Sequence, residues 1–276
     1  MFTHILLPVD GSELAERALT YLEHIAPLTG STIHLVEVVQ LLPNPTWTLA
    51  PGIVPETEYE QAREEATGYL EATRARLLAN GVRDVRATQL TGDPAASLLD
   101  YERDAGIDLV VMSSHGRTGL ARFALGSVAE RLVQYGSTPV LLVRAFGEVA
   151  IPRHVVVPLD GSARAEAALD AVERLAPQLL REVTLLRVVR NDEEGREAER
   201  YLQDVLARPW REGVTVRPRV VMGDPAAAIV AAGGPDKLVV MTTHGRAGFT
   251  RWALGSAADR VAHGGAGAVM LVRRGE

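Results

Sequence analysis

The sequence contains no cysteine. Disulfides, thiolate metal sites and cysteine nucleophiles are therefore excluded, although the absence says little about compartment. Lys237 is the only lysine among 29 cationic side chains, so the first half of the chain has no lysine for a P-loop or a Schiff base. No apolar run approaches the ~20 residues that a helix needs to cross a bilayer. Met1-Phe2-Thr3-His4 places no basic segment ahead of the short run Ile5-Leu6-Leu7, so no secretory signal is expected and a cytoplasmic location follows by default. Excess positive charge is missing too. A net charge of −6 argues against nucleic acid or an anionic membrane as partner. What is present, 276 residues of which 47% are hydrophobic, is an ordinary globular composition with room for two domains.

The chain repeats itself. His4-Ile5-Leu6-Leu7-Pro8-Val9-Asp10-Gly11-Ser12 returns as His154-Val155-Val156-Val157-Pro158-Leu159-Asp160-Gly161-Ser162, and Gly92-Asp93-Pro94-Ala95-Ala96 as Gly223-Asp224-Pro225-Ala226-Ala227. Such self-similarity marks a duplicated unit, and domains are expected at 1–147 and 148–276. The second copy is shorter. The difference falls between Val39 and Gly81, where the first copy carries a proline-rich insert with Trp47 that reads as a long loop.

Each copy reads as five strands alternating with helices. In the first, apolar runs near 3–9, 31–39, 84–90, 107–113 and 138–144 suit strands buried on both faces. Leu14, Ala18, Leu22 and Ile25 form one helical stripe from about Glu13, with Ser12 as its cap. A second helix is expected from about Glu58 to Asn80-Gly81. The fold class is α/β: two tandem Rossmann-like domains, each a five-stranded, mostly parallel sheet with helices on both faces. Ligands of such sheets sit beyond the carboxyl ends of the strands, at the switch in strand order. Asp10, Val38 and the segment after strand 4 converge there.

That last segment carries the chemistry. Met112-Ser113-Ser114-His115-Gly116-Arg117 leads to Gly126-Ser127-Val128-Ala129, and Met241-Thr242-Thr243-His244-Gly245-Arg246 leads to Gly255-Ser256-Ala257-Ala258. In both, nine residues separate the first glycine from the Gly-Ser pair that opens a helix. Glycine lets backbone amides approach a polyanion, and a helix N-terminus offers free N–H groups and the positive end of its dipole. Arg117 and Arg246 are candidate phosphate clamps, with a plain exposed loop arginine as the equal alternative. His115 and His244 lack a partner at catalytic spacing and read as structural. Asp10 and Asp160 admit a capping role beside Ser12 and Ser162 as well as a ligand role.

These motifs resemble those of the universal stress protein family in its tandem, two-domain form, over essentially the whole chain. The resemblance implies ATP accompanied by Mg²⁺ as ligand. It places Asp10 near ribose and adenine, Pro8, Val9 and Val38 along the base, and the triphosphate on Gly116, Gly126, Ser127, Val128 and Ala129, with Met112 and Ser113 beside the loop. In the second copy the corresponding residues are Asp160, Pro158, Leu159 and Val188, then Gly245, Gly255, Ser256, Ala257 and Ala258, with Met241 and Thr242 alongside. The family signature Gly-x2-Gly-x9-Gly-Ser/Thr lacks its leading glycine here: Ser113 and Thr242 stand in its place. The smaller Ser113 makes the first copy the better site on this ground. No Gly-x4-Gly-Lys-Ser/Thr loop and no kinase catalytic loop is present, so any ATP hydrolysis is expected to be slow.

Two readings stand at this point. One is a nucleotide-dependent regulatory stress-response protein; the other is a nucleotide-free scaffold that acts through protein contacts. The apolar last strands, Pro139 to Arg144 and Ala268 to Arg273, read as sheet edges that invite pairing; the resemblance, in which this strand is the usual dimer contact, implies that they pair with each other as an internal pseudo-dimer, with a homodimer of two chains as a possible further step.

Overall fold

A computed structural model describes residues 1–40, 56–114, 125–144, 151–175, 180–243, 254–265 and 267–273. The first half runs β1 (His4–Val9), α1 (Ala15–Thr29), β2 (Thr32–Val39), α2 (Glu56–Ala79), β3 (Asp84–Thr91), α3 (Pro94–Asp104), β4 (Leu109–Ser113), α4 (Ser127–Tyr135) and β5 (Val140–Val143). The second repeats it: β6 (His154–Pro158), α5 (Ala163–Glu173), β7 (Glu182–Val189), α6 (Asp192–Leu206), β8 (Thr215–Met222), α7 (Pro225–Ala232), β9 (Lys237–Thr242), α8 (Ser256–Gly264) and β10 (Ala268–Val272). The expected domain boundary at 147 and 148, and Trp47 with most of the insert, lie outside the described residues.

The ten strands among the described residues form one sheet in the order β3-β2-β1-β4-β5-β10-β9-β6-β7-β8. Pairing is parallel within each half and antiparallel only between β5 and β10, where Val140 faces Leu271 and Leu142 faces Val269. The apolar last strands therefore lie in the middle of the sheet. The outer edge at β8 carries Arg217, Pro218 and Arg219, and charge with proline blunts an exposed edge against further pairing.

The strands are apolar along their whole length because both faces are covered. Ile5, Leu7 and Val9 pack with Leu19 and Leu22 of α1 and Leu70 and Leu77 of α2, whereas Leu6 packs on the other face with Leu98 of α3 and Leu132 of α4. The period of two in a strand sorts one run into two cores. Helix starts follow local chemistry. Asp93 Oδ1 accepts from Ala96 N at 2.8 Å and Pro94 opens α3; Asp224 and Ala227 repeat this at 2.9 Å before α7. Proline at the first helical position forfeits no helical bond.

Arginines fasten the two halves. Arg144, just past β5, donates to the carbonyls of Gly267, Ala262 and Val261 at 2.8, 2.7 and 3.0 Å, and so covers the C-terminus of α8. Arg273, just past β10, returns the contact to the carbonyls of Gln134 and Gly136 at the end of α4. A cation at a helix C-terminus satisfies free carbonyls and complements the dipole. Phe2 and Arg174 meet at the same seam, with the guanidinium 4.2 Å from the ring centre and paired to Asp108 at 2.7 Å.

Candidate functional site

In each half the strand order reverses between the first and fourth strands, the place where sheets of this kind hold ligands beyond the strands' carboxyl ends. In the first half it is a cavity of about 570 Å³ bounded by the ends of β1, β2 and β4, by α2 and by the start of α4. That volume falls within the ~300–1,000 Å³ of small-molecule sites. Pro8, Val9, Asp10, Val38, Met112, Ser113, Gly126, Ser127, Val128 and Ala129, separated in sequence, all line it. Gly116 and Arg117, with Gly245 and Arg246 of the second copy, lie outside the described residues, as do His115 and His244. A separate apolar gap of about 40 Å³ lies at the seam between the halves. It has room for one water-sized group and no polar wall suited to a nucleotide.

The turn after β1 is built by its own residues. Asp10 Oδ1 accepts from Ser12 N at 3.1 Å and Ser12 Oγ at 2.6 Å, and Ser12 Oγ accepts in turn from Ala15 N at 3.1 Å. Asp160, Ser162 and Ala165 repeat the set at 3.0, 2.6 and 3.1 Å. Gly11 and Gly161 take φ of +71° and +79°, a conformation that suits glycine. Asp10 thus orders the turn and lines the cavity at once. Although α1 proper starts at Ala15, Ser12 is its cap in function, since its carbonyl also accepts from Glu16 N at 3.2 Å.

The start of α4 is shaped for an anion. Gly126 is extended at φ −62° and ψ 144°, donates to Ser114 O at 2.9 Å, and its own carbonyl accepts from Glu130 N. Among the described residues no side chain caps the helix. Its first N–H groups, on Ser127, Val128 and Ala129, belong to cavity-lining residues, and free N–H groups at the positive end of a helix attract phosphate. Gly255 copies this with φ −59°, ψ 143°, a bond to Thr243 O at 2.8 Å and no side-chain cap. Both helix starts are held in place from outside: Arg131 reaches Asp93 at 2.7 Å, and Arg260 reaches Asp224 at 3.0 Å.

Several lining residues lay outside the sequence expectation: Glu37 and Gln40 at the end of β2, and Ala62, Glu65 and Tyr69 on α2. Tyr69 donates to Glu16 at 2.8 Å and Tyr201 to Glu166 at 3.0 Å, which ties α2 to α1 and α6 to α5. Burial, reinforced by that carboxylate partner, pushes each phenol above its ordinary range. The internal repeat was the available signal for this pair. Among the described residues no group of three His, Asp, Glu or Cys converges on a metal position, and no helix is long and apolar enough to cross a membrane.

Comparison with known proteins agrees with this architecture. The universal stress protein family model matches residues 1–144 and again 152–273. A universal stress protein of Mycobacterium tuberculosis is 28% identical, over 98% of this chain and 97% of that protein. One of Methanocaldococcus jannaschii is 30% identical, over 52% of this chain and 96% of its own length. The crystal structure of a universal stress protein from Archaeoglobus fulgidus superposes with a TM-score of 0.77 at 20% identity, covering 99% of this chain and 98% of that one, and so shares the fold.

Proposed function

Because the chain belongs to the universal stress protein family, we propose that it is a cytoplasmic, nucleotide-dependent stress-response regulator that binds ATP with Mg²⁺ and hydrolyses it slowly at most. The observation that carries the reading is the uncapped N-terminus of α4 opening into a cavity of about 570 Å³. The apolar wall of Pro8, Val9, Val38 and Met112 suits a base, Asp10 suits a ribose, and the N–H groups of Ser127, Val128 and Ala129 suit phosphates. With carboxylates scattered rather than gathered, Mg²⁺ would be held chiefly through the phosphates, where it offsets their charge. Slow turnover at most follows from the lack of a Gly-x4-Gly-Lys-Ser/Thr loop and of a kinase catalytic loop in the sequence, so occupancy rather than turnover is read as the signal.

A second reading, a nucleotide-free scaffold, draws on Ser113 and Thr242. Both are buried at the strand ends where the nucleotide-binding signature has glycine. In either reading the pairing of β5 with β10 and the crossed arginines support an internal pseudo-two-fold dimer, with a homodimer of chains as a further step.

Chromatography of the small molecules released from freshly purified, denatured protein separates the readings. A stoichiometric ATP or ADP peak refutes the scaffold. A blank, together with no titratable affinity for ATP and Mg²⁺, refutes the nucleotide reading.

A further inference from the structure

The helix that covers the first cavity is held unevenly along its length. The second half of α2 is fastened to the body of the protein. Leu70, Thr73 and Leu77 are buried, Tyr69 donates to Glu16 at 2.8 Å, Arg76 pairs with Glu16 at 2.7 Å and with Glu23 at 2.6 Å, and Arg74 Nε donates to Val85 O at 3.1 Å. The first half has little of this. None of residues 56–65 is buried, and Ala66 is the only buried side chain of the helix before Leu70. Among the described residues its hydrogen bonds to other elements go only to β3: Gln89 Nε2 donates to Arg63 O at 2.7 Å, Gln89 Oε1 accepts from Arg63 Nε at 3.3 Å, and the Tyr59 and Thr91 hydroxyls are 3.5 Å apart, all at exposed positions. Few buried contacts and exposed hydrogen bonds mark the segments of a fold that open first.

The change of grip falls at Thr67-Gly68. Thr67 Oγ1 donates to Arg63 O at 2.8 Å, a bond back to the preceding turn of the kind that bends helices. Gly68 follows it in mid-helix, exposed, with no positive φ, and a Cβ there would meet nothing within 4 Å. Neither packing nor backbone conformation asks for glycine, and glycine weakens a helix interior relative to alanine. In α6 of the second copy Arg200 stands directly before Tyr201, yet the contact of Tyr201 with Glu166 repeats that of Tyr69 with Glu16. The tyrosine latch therefore does not need a glycine beside it.

We infer that Thr67-Gly68 is a hinge and that residues 56–67 form a flap over the first cavity, which swings away from the sheet while Tyr69 to Ala79 stay fixed on α1 and β3. The flap carries the lining residues Ala62, Glu65 and Ala66. The facing walls, at the ends of β1, β2 and β4 and the start of α4, belong to the sheet and its packed helices. Tyr69, latched to Glu16, is the wall on the hinge side. Opening widens the cavity without disturbing the Asp10 turn or the start of α4, so the flap sets how fast a ligand enters and leaves more than how tightly it is held. The gating role rests on the nucleotide reading above; the hinge does not.

Hydrogen exchange of the full chain, read by mass spectrometry on peptides from the two halves of α2, tests the hinge. In wild type the amides of 60–67 should exchange at least about tenfold faster than those of 70–79. Gly68→Ala should slow the 60–67 amides by about two- to fivefold and leave 70–79 unchanged. Tyr69→Phe cuts the latch and should carry the fast exchange on into Leu70 to Thr73. Stopped-flow with N-methylanthraniloyl-labelled ATP and Mg²⁺ tests the gating, in a chain whose second copy is blocked by Gly255→Val at the start of α8. There Gly68→Ala should slow association and dissociation by the same two- to fivefold or so, with Kd held within about twofold. Equal exchange in the two halves of α2, or a Gly68→Ala chain that slows both halves alike or neither, overturns the hinge. Slowed exchange in the flap with unchanged nucleotide rates overturns the gating role. Protein that binds no labelled or unlabelled ATP overturns the nucleotide reading and the gating role with it, and the hinge then stands or falls on the exchange rates alone.

Discussion

Replacing Arg144 by methionine should destabilise the protein by about 1.5–6 kcal/mol, although the residue does not line the cavity. Methionine keeps an apolar stem of similar length and removes only the guanidinium. Three hydrogen bonds disappear, to Gly267, Ala262 and Val261, and bonds from a charged donor are worth roughly 1.5–3 kcal/mol each. Against this stands the relief of burial, which holds the guanidinium well below its ordinary range, at about 10. At 1.36 kcal/mol per pKa unit that relief is about 3 kcal/mol. The group is still cationic at pH 7, so the bonds are charge-assisted and the loss outweighs the relief. Urea unfolding of wild type and Arg144→Met, followed by far-ultraviolet circular dichroism, measures the difference. Because Arg144 spans the seam, the variant should also show a broader transition as the halves lose cooperativity. A loss below about 1 kcal/mol with an unchanged slope would show that the crossed arginines decorate the seam without holding it.

Three further outcomes follow from local chemistry. His34 is 1% exposed and contacts His4 at 3.1 Å and Tyr101 at 3.0 Å; burial first, then the neighbouring His4 and Arg86, push its pKa down to about 4. Between pH ~6.5 and ~4 the unfolded chain binds this proton and the native one does not, so stability is complete above the unfolded value and falls by up to about 3 kcal/mol toward pH 4; His34→Gln should flatten that slope in pH-dependent urea titrations, and an unchanged slope would refute the assignment. A methyl group on Gly267 would stand 1.9 Å from Gly234 O and 2.5 Å from Lys237 O, both backbone, so Gly267→Ala should cost several kcal/mol in thermal unfolding, and a melting temperature within a degree or two of wild type would contradict it. Ser113→Gly, which restores the family's leading glycine, should tighten ATP binding at the first crevice, measured in a chain whose second copy is blocked by Gly255→Val at the start of α8, and unchanged affinity would mean that the serine side chain is no obstacle.

The order and type of the described elements were legible because the duplication let each half check the other and because strands buried on both faces read as continuous apolar runs. Boundaries moved by a residue or two, as at α2, which begins at Glu56 rather than Glu58. The residues brought to the first crevice were legible for a related reason: Asp-Gly-Ser and Gly-Ser mark sharp changes of direction, and such changes fall at strand ends, where ligands of these sheets bind. Glu37 was hidden. In Leu35-Val36-Glu37-Val38-Val39 a single carboxylate near the end of an apolar run reads as solvent-facing, and only the covering of β2 by α2 turns it into a wall of the cavity.

The crossed arginines were hidden for a different reason. Arg144 and Arg273 stand at matching places in the two copies, each directly after an apolar strand, where a charge ordinarily marks return to solvent. Their role depends on the antiparallel pairing of β5 with β10, which sets the end of each strand beside the last helix of the other half. Nothing local distinguishes an arginine that ends a strand from one that caps a distant helix. What the sequence does contain is the comparison between copies: kept pairs such as Tyr69–Glu16 and Tyr201–Glu166, and Arg144 with Arg273, fall where both halves solve one structural problem.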